Sequence, residues 1–299
     1  MKKPLYALIV LLVVFLAGEL VLRAMRYRGD PRVADFRFEI TGDLIGVPDP
    51  VRFWRLPNVE PRFKGDATRI ICLADSVTVM DHGRGWPELL PAALQAAGYA
   101  KPVQVFNAGV PEYTSYQGLR YLETELLATN PKVVTVEFGW NDHWPSPVNR
   151  ADDMVRIPSR FVFSFQQYLV RLRLYRLLRT MLLPAPDPRV LRVPLESYRR
   201  NLTRMADQVR WRGGQVVFIT APYLGDSFGW VALHRQYIEA TIMLAAELRV
   251  ALVDLSGIFA RRPDLFLDPR NDPCHINGRG AQIVAKEVAT TIVKKGLLP

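Results

Sequence analysis

The chain has 299 residues, 49% hydrophobic and 23% charged, a composition that excludes a disordered or fibrous protein and suits one sizeable core. Its formal charge of +10, from 39 basic and 29 acidic residues, suits either nucleic acid or an anionic membrane surface. With no zinc-finger spacing, no RNP-like aromatic motif and no Lys/Arg block, no nucleic-acid partner is expected, and two cysteines, Cys72 and Cys274, make neither a disulfide framework nor a CxxC metal pair.

The N-terminus comes first. Lys2 and Lys3 precede an apolar run from Leu5 to Gly18, followed by Glu19 and Leu20-Val21-Leu22-Arg23. Leu5 to Leu22 is about the minimum length of a spanning helix if Glu19 sits near an interface. A cleaved signal peptide would share the basic start and the apolar run. No A-x-A site follows, however, and Glu19 stands where a lipobox would place cysteine after Leu16-Ala17-Gly18. Residues 1–25 are therefore expected as a transmembrane anchor, with a signal segment as the alternative. Lys2 and Lys3 before the run nearly balance Arg23, Arg26 and Arg28 after it, so charge leaves the orientation open. Residues 26–65, rich in Arg, Pro and aromatics without sustained periodicity, are expected as a juxtamembrane linker.

From residue 66 the pattern becomes regular. Short apolar, β-branched runs at Arg69–Leu73, Val103–Phe106, Val133–Phe138, Val216–Ile219 and Val250–Val253 suit strands buried on both faces. Helical patterns lie between them. One opens at Trp86 with Pro87 in its first turn; Leu119, Leu122 and Leu126 share a face. Leu195, Tyr198, Leu202, Met205 and Val209 repeat at three- and four-residue steps before Gly213-Gly214. Ile238, Ile242 and Ala245 mark another helix, and Val284, Val288 and Ile292 the last. Alternating strand and helix predict an α/β fold, a three-layer sandwich on a parallel sheet of about five strands over 66–299. The longest connection, the insertion 144–193, holds a helix-like segment, Phe161–Leu183. There Arg173, Arg176 and Arg179 fall on one side and Val170, Leu174, Leu177, Leu178 and Met181 on the other. It reads as a surface helix packed on the domain, or as a basic helix lying on an anionic membrane or lidding a site.

Sites in open α/β sheets form beyond the carboxyl ends of the strands. After the first strand comes Ala74-Asp75-Ser76-Val77-Thr78, after the second Asn107-Ala108-Gly109, after the third Gly139-Trp140-Asn141-Asp142, and beyond the last Asp272-Pro273-Cys274-His275. A serine hydroxyl needs a base to take its proton, which His275 can do. Asp272, three residues earlier, can hold the imidazole in the useful tautomer. The oxyanion of a tetrahedral intermediate needs preorganised donors, each worth about 3–4 kcal/mol of barrier. The backbone N–H of Ser76 at a helix start, the N–H of Gly109 and the side-chain amide of Asn141 are the candidates.

These four blocks, in this order, resemble the SGNH (GDSL-like) hydrolase superfamily. Ser76 matches its nucleophile block, Gly109 its glycine, Asn141 its G-x-N-D asparagine, and Asp272 with His275 its D-x-x-H block. The resemblance covers residues 66–299. It implies a flavodoxin-like sandwich and ester hydrolysis or acyl transfer with no metal and no other cofactor. One departure is Ala74, where the family usually has glycine. If that position needs positive φ, alanine strains the turn by about 1 kcal/mol or more.

Each residue also has a plainer reading. Ser76 could only cap a helix, Asn141 and Gly109 could only serve turns, and Asp254 and Asp268 are rival acids for His275. Trp140 and His143 could line a pocket or fill the core. His82 and His234 have no evident partner, and four histidines without ligand spacing make no metal site. Cys72 and Cys274 read as packing cysteines, and Asn201-Leu202-Thr203 reads as a chance sequon inside a helix. The expectation is a membrane-anchored serine esterase, its domain outside the cytoplasm, acting on a glycan or lipid ester. An acyltransferase on envelope polysaccharide and a non-catalytic binding protein of the same fold are the alternatives.

Overall fold

The computed structural model describes residues 2–29, 38–40, 43–79, 85–185, 187–225 and 231–299. In chain order they form α1 (Lys2–Ala24), β1 (Phe38–Ile40), β2 (Asp43–Asp49), β3 (Phe53–Arg55), β4 (Thr68–Ala74), α2 (Ser76–Val79), α3 (Trp86–Ala96), β5 (Val103–Gly109), α4 (Ser115–Thr124) and β6 (Val133–Glu137). There follow α5 (Arg160–Leu169), α6 (Arg173–Leu182), α7 (Leu195–Trp211), β7 (Gln215–Ile219), α8 (Val231–Glu247), β8 (Ala251–Val253), α9 (Ser256–Phe259) and α10 (Gly278–Lys294). Residues 1–57, 147–149 and 155–187 make one unit, and residues 58–146, 150–154 and 188–299 the other.

The larger unit is built on a five-stranded sheet in the order β5-β4-β6-β7-β8, every neighbouring pair parallel. The expected strands are all present. Their β-branched side chains alternate between two covered faces. Ile70, Cys72, Val133, Val217, Ile219 and Val253 meet Leu90 and Leu94 of α3 and Val284, Val288 and Ile292 of α10. Ile71, Leu73, Val134, Val136, Val216 and Phe218, all buried, point the other way. That is the layer of α4, α7 and α8, which pack on one another. Tyr198, Leu202, Met205 and Val209 of α7 are buried at the expected helical steps. The architecture is thus the predicted three-layer α/β sandwich.

The strand order positions the site. The chain enters at β4, moves to the edge strand β5, then crosses back to β6 and continues outward, so the order reverses beside β4. Such a reversal opens a crevice at the carboxyl strand ends. Register sets the depth: Ala74 pairs with both Gly109 and Glu137, so the segments after β4, β5 and β6 emerge level with one another. At the far end of the chain, Asn277 accepts hydrogen bonds from the N–H groups of Arg279 and Gly280. This cap fixes the start of α10 just beyond His275.

The smaller unit departs from expectation in two respects. Residues 26–65, expected as a juxtamembrane linker without sustained periodicity, contain a short antiparallel ladder, β1-β2-β3. The expected single helix Phe161–Leu183 is two helices, α5 and α6. Leu172 takes an extended conformation at φ −87°, ψ 124°. The buried Val170 gives its carbonyl to Arg176 Nε at 2.6 Å. A side chain thus takes up a carbonyl at the helix end, and no glycine or proline marks the break.

Candidate active site

The site begins where β4 ends. Asp75 Oδ1 accepts the N–H of Val77 at 3.0 Å, which turns the chain directly into α2 with Ser76 as its first residue. Ala74 is the last residue of β4, 1% exposed, and is not among the residues of positive φ. Its backbone is ordinary strand, so alanine there costs no conformational strain.

Ser76 Oγ lies 3.0 Å from His275 Nε2, and His275 Nδ1 lies 2.6 Å from Asp272 Oδ2. The three groups are 199 and 3 positions apart in sequence. Asp272 Oδ1 also accepts the N–H groups of Cys274 at 3.0 Å and His275 at 3.1 Å, and Cys274 Sγ lies 3.1 Å from it. Burial works against the charge of Asp272. The hydrogen bond from His275, the N–H of Cys274 and the charge of the imidazole outweigh it and hold the carboxyl well below its usual range. Burial likewise works against protonation of His275, yet Asp272 and the charge of Asp75 raise its pKa. Burial and Asp272 push the Cys274 thiol far up, so it stays protonated and its S–H can donate to the carboxylate. Cys274, expected as packing, touches the pair that holds the imidazole. The rival acids are engaged elsewhere: Asp254 Oδ1 accepts from Thr220 Oγ1 at 2.9 Å, and Asp268 Oδ2 from the Asn271 amide at 2.8 Å.

The expected oxyanion donors lie at or just beyond the ends of β4, β5 and β6. A Cβ on Gly109 would lie 2.8 Å from Val79 Cγ2 and 3.0 Å from the carbonyl oxygen of Asp75, so only glycine lets the end of β5 approach the turn that follows β4. Its N–H donates to Asn107 Oδ1 at 3.0 Å. Asn141 follows Gly139, whose φ of +134° suits glycine. Asn141 Nδ2 lies 3.2 Å from Asp75 Oδ2 and 3.1 Å from the carbonyl oxygen of Tyr113. Both amide hydrogens and the Gly109 N–H therefore have protein acceptors as the site stands. For Gly109 or Asn141 to serve an oxyanion, it must give up an acceptor that it has here.

Trp140 and His143 are each 3% exposed. Trp140 Nε1 donates to the carbonyl of Pro222 at 3.1 Å, and its ring stacks on His234 at 3.6 Å. His143 faces Trp140, His234 and Tyr237 at ring distances of 5.6, 5.3 and 5.7 Å. Burial lowers the pKa of His143 to about 4 and takes that of His234 far down, so both rings are neutral. The pair suggested as pocket lining is packed into an aromatic cluster. His82 lies outside the described residues.

Sequence reasoning passed over a set of buried carboxyls under the site. Glu137, at the end of β6, accepts a hydrogen bond from Thr78 Oγ1, which itself accepts Trp86 Nε1 at 3.0 Å. Burial pushes Glu137 up to about 8, opposed by Thr78 and aided by the charge of Asp75. Burial also raises Asp75 to about 6, against the Val77 N–H, and Asp142 to about 7, against Ser115. The signal was available, since an acid in a strand buried on both faces is out of place. A folded-state pKa raised above the unfolded value gives stability that is complete at low pH and lost as pH rises through the folded value. The protein is therefore expected to lose stability from about pH 4.5 to pH 8, the window set by Glu137. Its share of the slope is up to about 1.4 kcal/mol per pH unit. Glu137→Gln should flatten that share in thermal unfolding followed against pH, and an unchanged slope would show that Glu137 is already ionised in the fold.

The GDSL-like lipase/acylhydrolase family model matches residues 72–283, a span that contains Ser76, Gly109, Asn141, Asp272 and His275. The chain is similar to a GDSL esterase/lipase of Arabidopsis thaliana, 22% identical over 229 residues that cover 75% of this chain and 78% of that protein. It is also similar in structure to a lipase/acylhydrolase from Enterococcus faecalis, at TM-score 0.53 and 20% identity over 76% of this chain and 96% of the other. An acetylxylan esterase from Geobacillus stearothermophilus gives TM-score 0.53 and 18% identity over 76% and 95%. At these identities the structural likeness speaks for the fold.

Proposed function

The chain belongs to the GDSL-like lipase/acylhydrolase family and is an ester hydrolase of the SGNH type, and from that premise we propose that Ser76, His275 and Asp272 are its catalytic triad. The observation that carries the proposal is the continuous line Ser76 Oγ to His275 Nε2 to Asp272 Oδ2, at 3.0 and 2.6 Å. Asp272 holds the proton of His275 on Nδ1, which leaves Nε2 to accept the Ser76 proton. The Ser76 oxygen then attacks the ester carbonyl. The imidazolium returns its proton to the leaving alcohol as the acyl-enzyme forms, and water repeats the sequence to release the acid. We assign the oxyanion to the N–H of Ser76, the N–H of Gly109 and the amide of Asn141, which would exchange Asp75 or Tyr113 for the substrate oxygen. The acetylxylan esterase among the structural relatives supports acetyl esters of carbohydrate as the substrate class, ahead of lipid esters. Turnover of a chromogenic acetyl ester and release of acetate from an acetylated glycan are the expected results, with neither observed as the outcome that ends the proposal. Asn141→Ala should cut kcat by about 100- to 1000-fold with a smaller change in KM; an equal loss in a binding constant would place Asn141 in substrate binding instead.

We also read α1 as a retained anchor rather than a cleaved signal. Its end is tied into the smaller unit. Glu19 Oε1 pairs with Arg23 Nε at 2.8 Å and Glu19 Oε2 accepts the Leu174 N–H at 2.9 Å. Arg173 Nη1 donates to the carbonyls of Leu22 at 3.0 Å and Arg23 at 3.1 Å. Cleavage anywhere after Glu19 would strip α6 of the carboxylate that takes its first N–H groups. We also place the catalytic unit outside the cytoplasm, where a polymeric glycan ester would reach it.

A further inference from the structure

The segment 155–187 carries six arginines, Arg156, Arg160, Arg171, Arg173, Arg176 and Arg179, against a single acid, Asp187. It also exposes large apolar side chains in two stripes. On α5 these are Phe161 at 80%, Phe165 at 54% and Tyr168 at 63%; on α6 they are Leu178 at 52%, Met181 at 74% and Leu182 at 81%. Phe161, Phe165 and Tyr168 recur at four and three residues, which is one face of a helix. Leu174, Leu178 and Met181 recur in the same way on α6, and Leu174 shows where that stripe leads. A Cβ on Gly18 of α1 would lie 3.6 Å from Leu174 Cδ2. The first residue of the stripe is thus seated on the anchor and the next two continue from it uncovered. The meeting point is the end of the apolar run, because Arg173 and Leu174 bond to Glu19, Leu22 and Arg23. In a spanning helix that end lies at the membrane–water interface. α6 therefore starts at interfacial depth, beside the exposed Arg23, Arg26 and Arg28.

We propose that segment 155–187 lies in the headgroup layer of the bilayer that α1 spans, its apolar stripes against the acyl boundary and its arginines among anionic phospholipid headgroups. Two features name lipid as the occupant: the stripe is continuous with the membrane helix, and a strongly basic amphipathic pair complements anionic headgroups. Tyr168 at this depth matches the Trp/Tyr enrichment of membrane interfaces. The proposal rests on the reading of α1 as a retained anchor, and the experiment separates the two.

The full-length protein would be reconstituted into phosphatidylcholine vesicles with and without phosphatidylglycerol. Variants Leu12→Cys, Phe165→Cys, Met181→Cys and Trp211→Cys would carry an environment-sensitive fluorophore. Quenching would be read from nitroxide lipids, deep or shallow, and from a water-soluble quencher. Cys72 is buried and the Cys274 thiol is held protonated, so unsubstituted protein gives the background. The label at Leu12 is expected to answer only to the deep nitroxide. Labels at Phe165 and Met181 should answer to the shallow nitroxide several-fold more than the label at the exposed Trp211 of α7. That excess should shrink when phosphatidylglycerol is left out or salt is raised. Water-soluble quenching of Phe165 and Met181 equal to that of Trp211, with Leu12 still in lipid, would overturn the proposal and leave the anchor standing. Labels at 165 and 181 shielded from both quenchers would mean a protein partner and overturn it as well. Quenching indifferent to lipid charge and salt would overturn the assignment to anionic headgroups. Leu12 open to water would bring down the anchor and this proposal together.

Discussion

Replacing Ser76 with Ala is expected to lower kcat on an acetyl ester by at least about 10,000-fold while the fold and KM stay close to wild type. The side-chain oxygen sits 3.0 Å from His275 Nε2, so its loss removes the attacking atom without opening a cavity of consequence. A group that acts only as part of a unit also predicts strong non-additivity. Ser76→Ala, His275→Ala and the double variant should be about equally inactive, because the residual rate comes from binding and the oxyanion donors. A fluorophosphonate probe should label the wild type and neither single variant, since labelling needs a serine whose proton has somewhere to go. Equal turnover by wild type and Ser76→Ala would remove Ser76 from the chemistry. A double variant weaker than both singles by the product of their losses would mean that the two residues act separately.

The parts legible in the sequence are those with a local period or a local bond. Val133–Val136 and Val216–Ile219 announce buried parallel strands through β-branching. The strand-end rule then places Ser76, Gly109, Asn141 and His275 near one another, although Ser76 and His275 are 199 positions apart. Asp272, three positions from His275 in one short segment, is the acid at 2.6 Å, where Asp254 and Asp268 are engaged elsewhere. The parts that escaped depend on side-chain contacts that no local period encodes. The break at Leu172 has no Gly or Pro to mark it and comes with a side chain, Arg176, reaching back to the Val170 carbonyl. The partners of Asn141 are a carboxylate 66 positions away and a carbonyl 28 positions away, a pairing that no motif encodes. Glu19 looked like an interruption of an apolar run. It pairs with Arg23 in its own helix and also binds the start of a helix 155 positions later, a partner that α1 alone does not announce.

Asp272→Asn should be almost as damaging as loss of the nucleophile, by about 10,000-fold in kcat, although the substitution changes little more than one charge. The carboxylate accepts four hydrogen bonds in this site, two of them from backbone N–H groups. An amide in its place can present nitrogen to His275 Nδ1 and hold the proton on the wrong ring atom. The pH profile separates this from a mere change of shape. Asp272 raises the pKa of His275 against the opposing pull of burial. The base works only when neutral, so wild-type kcat/KM should fall as pH drops through a value above 6.5, the ordinary value for His275. Asp272 itself stays ionised across that range, because its own carboxyl is held far down. Asp75, raised to about 6, interacts with His275 and titrates nearby, so the acid limb belongs to the pair. Removing the Asp272 charge should move the limb of the residual activity toward lower pH at the same time as it cuts the rate. A rate loss with the limb unmoved would mean that Asp272 acts through geometry alone, and that the field of Asp75 sets the basicity of His275.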